Sequence, residues 1–206
     1  MQFPSHLRRS MTILFALAAI FLLSGMATVA QDEKVLVVGL SEVTDSLDPA
    51  KGYTQTSGIV EHVIYQTLVT FPDTDASKII PMLAKSWDVS TDGTTYTFHL
   101  QDGAVFSSGN PVTADDVVFS INRMHNLKSS PAFQADTIAS IEAVDAQTVK
   151  VTLTAPNPGF LANLASQYFS ISDSKVVKAN GGTDQPGADT TDTASKYLEG
   201  TSAGSG

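Results

Sequence analysis

The sequence predicts a mixed α/β fold, and three observations carry that prediction. A nearly continuous apolar run at residues 34–40 is typical of a strand buried on both faces. Residues 95–100 instead alternate between apolar and polar side chains, as in a strand with one buried face. Residues 56–71 and 113–126 carry apolar side chains at helical spacing, which indicates helices that pack on a sheet.

The first thirty residues have the composition of a secretory signal. Arg8 and Arg9 precede an apolar run at residues 11–25, and small residues follow as far as Ala30, with Thr28 three positions before the expected cut. The apolar run is shorter than the roughly 20 residues of a membrane-spanning helix. Cleavage after Ala30 is therefore favoured over a membrane anchor, and we expect a periplasmic location.

Charge and cysteine content exclude several classes of protein. The 206 residues carry 12 basic and 21 acidic side chains, for a net charge of -9, and the predicted signal removes two arginines but no acid. Such an acidic surface repels nucleic acid and anionic membranes, so neither is an expected partner. Because the chain has no cysteine, packing must hold the fold without disulfides, and a lipid-anchored cysteine is excluded.

Short sequence patterns predict a helix, two tight turns and a short strand in the middle of the chain. The first helix is predicted to begin at Thr56 or Ser57 as N-cap. Its apolar positions are Ile59, Val60, Val63, Ile64 and Leu68. Two Asp-Gly pairs, at residues 92–93 and 102–103, predict tight turns on either side of the alternating strand, because glycine accepts the positive φ of such turns. A second short strand is predicted at residues 104–109.

The next helix has an explicit start. Thr113 is the predicted N-cap, and Asp115 and Asp116 favour the positive end of the helix. The predicted buried stripe is Val117, Val118, Ile121 and Met124. Beyond this helix, residues 138–154 predict a hairpin that turns near Asp145, with one face formed by Val149, Val151 and Leu153.

The last fifty residues are less regular. Residues 157–177 predict a short helix that runs into a strand. From Ala179 onwards the chain is rich in Gly, Thr, Asp and Ser, which predicts a flexible surface segment with one helical turn at residues 194–200.

Sequence motifs for catalysis or metal binding are absent. Outside the signal the histidines are His62, His99 and His125, and their separation does not fit a metal site. There is no G-x-S-x-G elbow and no glycine-rich phosphate loop. We expect no metal, no cofactor and no enzyme activity. The rival interpretation, a secreted hydrolase with a β-rich domain, would need a nucleophile–base pair or a metal cluster.

The loop that follows the first predicted strand is a candidate binding site. Ligands of open α/β sheets gather beyond the carboxyl ends of strands. Glu42 could meet a cation or an ammonium group there, and the backbone of Val43 and Thr44 could pair with an extended ligand as an added strand. An ordinary loop with a surface carboxylate is the alternative, and the strand pattern does not decide between them.

Several of these segments together resemble a known family. Residues 87–120, "WDVSTDGTTYTFHLQDGAVFSSGNPVTADDVVFS", resemble the signature of the family 5 extracellular solute-binding proteins, the dipeptide- and oligopeptide-binding components of bacterial ABC importers. "SEVTDSLDPA", "YQTLVTF", "PMLAKSW" and "NPGFLANLASQYFSI" match the same family in the same order. The resemblance covers nearly the whole chain after residue 30.

The resemblance implies an incomplete lobe of the type II periplasmic-binding-protein fold, with an inserted smaller β-rich subdomain. It divides the chain into the signal (1–30), the first strand and ligand loop of the main lobe (31–50), the subdomain (51–165), and a return into the main lobe with a flexible truncated tail (166–206). Family members are much longer, so the resemblance implies an N-terminal portion that lacks the opposing lobe and binds solute weakly.

The resemblance also implies a function. A monomer would capture a small solute, close around it by a hinge motion and deliver it to the permease. A peptide is the default solute, and the resemblance equally admits nickel chelates, opines, glutathione or oligosaccharides. The family's ligand-facing loop corresponds to Glu42, Val43 and Thr44. The loop after the Thr113 helix reaches the cleft in some members, which implies Ser130 and Phe133 as further ligand-binding residues, although Phe133 could equally belong to the core.

Overall fold

The computed structural model describes Val37, Gly39 and residues 41–206. The predicted signal and most of the first predicted strand lie outside these residues. The helices are α1 (Gln55–Ile64), α2 (Ala114–Asn126), α3 (Phe160–Leu164), α4 (Ser174–Ala179), α5 (Ala188–Thr191) and α6 (Ser195–Leu198). The strands are β1 (Val69–Thr70), β2 (Ile80–Pro81), β3 (Ala84–Val89), β4 (Thr95–Leu100), β5 (Ile138–Asp145) and β6 (Thr148–Leu153). Single 3₁₀ turns occupy Ala132–Ala135 and Gln167–Phe169.

The main sheet is antiparallel and has four strands in the order β3-β4-β6-β5. Its two hairpins have tight turns, at residues 90–94 between β3 and β4 and at residues 146–147 between β5 and β6. Gly93 has a φ of 70°, a left-handed conformation that glycine adopts without strain, as the Asp-Gly pair predicts. The predicted hairpin near Asp145 is confirmed.

The two central strands build the core through their period-two pattern. Tyr96, Phe98 and Leu100 of β4 are buried, and Tyr96 and Phe98 lie opposite Val151 and Val149 of β6. The buried face of α2 packs against this sheet. As predicted, that face includes Val117, Ile121 and Met124, whereas Val118 is only partly buried. A two-stranded sheet of β1 and β2 adjoins β3.

The orientation of α1 differs from the prediction. Its N-cap is Thr54, whose hydroxyl accepts a hydrogen bond from the Ser57 amide, and not Thr56 or Ser57. The buried face carries Thr56, Ser57, Gly58 and Glu61, whereas Ile59 and Val63 are 45% and 69% exposed. The polar face turns inward because Ser57 hydrogen-bonds to a carboxylate in the preceding loop, so hydrophobic periodicity alone assigned the wrong face.

Two predicted strands are absent from the described residues. The segment at residues 104–109 makes only a single bridge, between Val105 and Pro111. After α3, which confirms the predicted short helix, a bridge between Gln66 and Ile171 replaces the predicted strand, and α4 follows. The Asp173 carboxylate starts α4 because it accepts hydrogen bonds from the amides of Lys175 and Val176.

The predicted flexibility of the segment after Ala179 is wrong for several of its side chains. Ala188, Ala194, Leu198 and Ala203 are buried, and the predicted helical turn is α6. The composition misled the prediction because small residues also allow close packing of the backbone. The four-part division of the chain into signal, lobe and subdomain stays a prediction. None of the helices among residues 41–206 is long and apolar enough to cross a membrane.

Candidate functional site

One side of the predicted ligand loop is exposed to solvent, and the other side is hydrogen-bonded to α1. Residues 41–45 are all exposed, and Val43 is 83% exposed. Behind the loop, the Thr56 hydroxyl of α1 donates a 3.2 Å hydrogen bond to the carbonyl oxygen of Glu42. The structure therefore places Glu42, Val43 and Thr44 at the surface, with their backbone fixed to a helix.

Asp45 organises the base of this loop. Its Oδ1 accepts hydrogen bonds from the hydroxyls of Ser57, at 2.6 Å, and Thr54, at 3.0 Å, and its Oδ2 accepts one from the Tyr53 amide at 3.0 Å. Partial burial alone would raise the pKa of Asp45, but the hydrogen bonds from Ser57, Tyr53 and Thr54 outweigh it and hold the pKa well below its usual value. Asp45 is therefore a fixed negative charge.

A second set of contacts ties the loop to the end of the chain. The Ser46 hydroxyl donates a 2.5 Å hydrogen bond to Oε1 of Glu199, and the Leu47 amide donates one of 3.1 Å to Oε2. The predicted flexible segment thus supports the candidate binding loop. Nothing in the local sequence signals this pairing, because the partners are 153 residues apart.

A buried arginine lies beneath the loop. Both nitrogens Nη1 and Nη2 of Arg123 donate to the Asp48 carboxylate at 2.7 Å, and Nε donates to Oδ2 of Asp192 at 2.8 Å. Burial acts to lower the pKa of Arg123, but the hydrogen bonds and charges of the two carboxylates raise it above its ordinary value. The loop, α2 and the segment around Asp192 are therefore joined by one network of buried ion pairs, which the sequence analysis missed.

Phe133 belongs to an aromatic cluster, which we define as Tyr53, Phe133 and Tyr168. Tyr53 and Phe133 are exposed, and Tyr168 is partly buried. The rings of Tyr53 and Phe133 meet edge-on, with centroids 6.0 Å apart and planes at 69°. Tyr53 stacks on Tyr168 with centroids 5.2 Å apart and planes at 25°. Because the Tyr53 amide is bound by Asp45, the cluster connects the two groups of predicted site residues. The sequence analysis missed Tyr53 and Tyr168, since single aromatic residues in loops have no periodicity.

Ser130 lies apart from these contacts. It is exposed in the loop between α2 and the Ala132–Ala135 turn, and within residues 41–206 its side chain makes no hydrogen bond. Phe133 is 54% exposed, so the described part of the chain does not place it in the core. The ring of Phe133 thus contacts Tyr53, whose backbone amide is bound by Asp45 at the base of the ligand loop.

Glu61 is a buried carboxyl group on the inner face of α1. Its side chain has no solvent exposure, and neither carboxyl oxygen has a hydrogen-bond partner among the described residues. Burial, followed by the negative charges of Asp48, Asp45 and Glu199, raises the pKa of Glu61 to about 8. Burial therefore favours the neutral, protonated form of Glu61, and this property had no signal in the sequence.

The described residues contain no group of three acidic, histidine or cysteine side chains arranged to hold a metal ion. His99 pairs with Asp88 at 3.1 Å, and His125 lies 3.6 Å from Asp136. Each of these pairs is on the surface and separate from the loop network.

The fold belongs to a known class of protein. Residues 78–206 match the family model of the bacterial extracellular solute-binding proteins, family 5 Middle. The chain belongs to this family. As the resemblance in the sequence implied, the fold is an incomplete type II periplasmic-binding-protein lobe.

Individual relatives carry names of peptide-binding proteins. The chain is 33% identical over 186 residues to the probable D,D-dipeptide-binding periplasmic protein DdpA of Escherichia coli, covering 88% of this chain and 36% of the relative. It is 36% identical to di/tripeptide-binding protein 2 of Pseudomonas aeruginosa, covering 82% of this chain and 34% of the relative. The chain therefore spans about a third of the length of these curated relatives.

A solved structure shows the same fold. Haemophilus influenzae OppA, in complex with the peptide RPPGFSPFR, superimposes with a TM-score of 0.63 and 28% sequence identity. The match covers 66% of this chain and 30% of the OppA chain.

Proposed function

We propose that this chain supplies one wall of a peptide-type solute site in the binding component of an ABC importer. The component would capture its solute outside the cytoplasmic membrane, in the periplasm, and deliver it to the permease without a covalent step. Relatives named as a D,D-dipeptide-binding periplasmic protein, a di/tripeptide-binding protein and a dipeptide-binding protein support this proposal. Other matches are named as a heme-binding protein and as a protein in complex with mannopinic acid, so peptide is the leading class among several.

The proposal rests on one observation: residues 42–44 are exposed to solvent but have a fixed backbone. The segment is exposed, yet its backbone is fixed by Thr56 through the Glu42 carbonyl and by the hydrogen bonds to Asp45 directly after it. A fixed backbone loses little conformational entropy when an extended ligand binds beside it. Main-chain hydrogen bonds to such a segment are sequence-tolerant, which suits a site for peptides.

Glu42 would supply the polar contact. Its carboxylate is exposed beside Val43, and it suits the terminal ammonium group of a peptide. Phe133 would cover an apolar part of the solute, and Ser130 would act only as an exposed donor or acceptor near it. We expect the assembled binding protein to be a monomer that acts with membrane permease subunits. No observation among the described residues favours the hydrolase interpretation.

The test is a titration of the isotope-labelled chain with Ala-Ala-Ala, followed by NMR. We expect the amide signals of residues 42–45 to shift progressively at millimolar peptide, because weak contact with one wall is measurable in this way. The variant Val43→Pro removes one amide donor and should weaken the response, whereas the control Val43→Thr keeps that donor and should not. If the loop signals stay unchanged in the unmodified chain, or if both variants bind equally, the proposed site is wrong.

A further inference from the structure

We propose that the aromatic cluster, Tyr53, Phe133 and Tyr168, is a subsite for a cationic side chain of the bound solute, such as a guanidinium group. The inference rests on the proposed function and adds a specificity to it. Tyr53 and Phe133 are exposed, Tyr168 is partly buried against the core, and each comes from a different part of the chain.

The shape of the cluster fits a flat group. Tyr53 is 41% exposed and Phe133 is 54% exposed, and their ring planes meet at 69°. The two rings are therefore steeply inclined to each other, and each leaves part of its surface accessible to solvent. A planar group that stacks on one ring lies edge-on against the other, which is the arrangement that aromatic quadrupoles favour.

The Tyr53 ring is also held in place in the absence of a ligand. Tyr168 stacks on Tyr53 at 5.2 Å, so one face of the Tyr53 ring is already covered. The Asp45 carboxylate accepts hydrogen bonds from the Tyr53 amide with both oxygens, at 3.2 and 3.0 Å. A subsite whose rings are held by packing and by backbone hydrogen bonds loses little entropy on binding.

The local charge selects a cation over a neutral ring. Asp45 is ionised and lies at the base of the cluster, and Glu42 is exposed in the same loop. The nearby cation Arg123 is paired with two carboxylates, which leaves Lys51 as the basic side chain of this loop. The pKa of Tyr168 is raised by burial first and then by neighbouring groups that include Tyr53, Glu61 and Asp45.

The experiment compares three peptides on the same labelled chain: Ala-Arg-Ala, Ala-citrulline-Ala and Ala-Phe-Ala. Citrulline keeps the planar shape of arginine without its charge. We expect the arginine peptide to shift the ring signals of Tyr53, Phe133 and Tyr168 and to bind roughly three- to ten-fold more tightly than the citrulline peptide. Tyr53→Ala should abolish this difference, whereas Tyr53→Phe keeps the ring and should retain it.

The other outcomes overturn the proposal. Equal binding of arginine and citrulline peptides rules out selection by charge, and tightest binding of the phenylalanine peptide makes the cluster a neutral aromatic subsite. If the signals of residues 42–45 respond to Ala-Ala-Ala while the rings respond to no peptide, the subsite fails and the proposed function stands. If neither the loop nor the rings respond, both are wrong.

Discussion

Arg123 and Asp48 form a bidentate ion pair across 75 residues of sequence, with both N–O distances at 2.7 Å and with side chains that are 2% and 0% exposed. The pair joins a residue of α2 to the loop that carries the candidate site. Because Asp192 binds the same guanidinium, three segments depend on one positive charge. This arrangement leads to the first prediction.

Replacement of Asp48 should destabilise the protein strongly. Asp48→Ala leaves a buried guanidinium with one carboxylate in place of two, and we expect the free energy of unfolding to fall by about 3–5 kcal/mol. The matched control is Lys128→Ala, which removes the exposed pair with Asp189 at 3.0 Å and should cost no more than about 1 kcal/mol. Urea denaturation measures both, and similar losses in the two variants would contradict the assigned role of Asp48.

Glu61 should make the stability of the protein depend on pH. The pKa of Glu61 is about 8 in the folded protein, against the ordinary value of 4.5 for a glutamic acid side chain. Between these two pH values the folded state therefore binds a proton that the unfolded state has released. Stability therefore falls as the pH rises through this window and levels off above it, by a few kcal/mol at most at ~1.4 kcal/mol per pKa unit.

The variant Glu61→Gln tests this pH dependence. It removes the titrating group, so the stability of the variant should change less between about pH 5 and about pH 9 and should exceed that of the unmodified protein at the alkaline end. Glu42→Gln, at an exposed carboxylate, is the control and should keep the original slope. A Glu61→Gln variant that retains that slope would show that other groups cause it.

Gly204 should tolerate no side chain. A Cβ atom placed on Gly204 would lie 1.9 Å from the Ile64 carbonyl oxygen at the end of α1, and backbone cannot move aside cheaply. We expect Gly204→Ala to lower the free energy of unfolding by roughly 1–3 kcal/mol or more. Gly200→Ala, where no atom lies within 4 Å, should be close to neutral. Thermal unfolding of the two variants tests whether this segment is closely packed. If the segment were a loose surface chain, Gly204→Ala and Gly200→Ala would have the same small effect.

Asp116 should matter much more than its neighbour Asp115. One oxygen of Asp116 accepts hydrogen bonds from the Thr113 amide and hydroxyl, and the other accepts them from the Ser174 amide and hydroxyl. Asp116→Ala leaves these buried donors without a partner and should cost about 2–4 kcal/mol. Asp115 is exposed, and Asp115→Ala should cost about 0.3–1 kcal/mol through the helix dipole. If denaturation shows the same loss in free energy of unfolding for both variants, Asp116 stabilises only the start of α2.

Asp116 also illustrates how far the sequence analysis reached. The start of α2 was predictable, because the capping Thr113 and the acidic first turn are local features. The hydrogen bonds to Ser174 were not predictable, since their partners lie 58 residues apart. For the candidate site, the strand pattern already made residues 42–44 a candidate loop and the resemblance supported them, whereas Phe133 came from the resemblance alone. Their contact with a ligand stays a prediction. Only the structure shows that Tyr53 contacts Phe133 and is hydrogen-bonded to Asp45 beside the loop.

The amino-acid order alone determined the elements governed by local rules: the alternating strand β4, the turn at Gly93, the hairpin at Asp145 and the start of α2. These follow from backbone sterics, pleat geometry and helix capping, which act over a few residues. Tertiary structure decided which face of α1 is buried and how the segment around Asp192 packs. A polar side chain can be buried only where a distant partner meets it, and no local pattern encodes the distance between residues that are far apart in the chain.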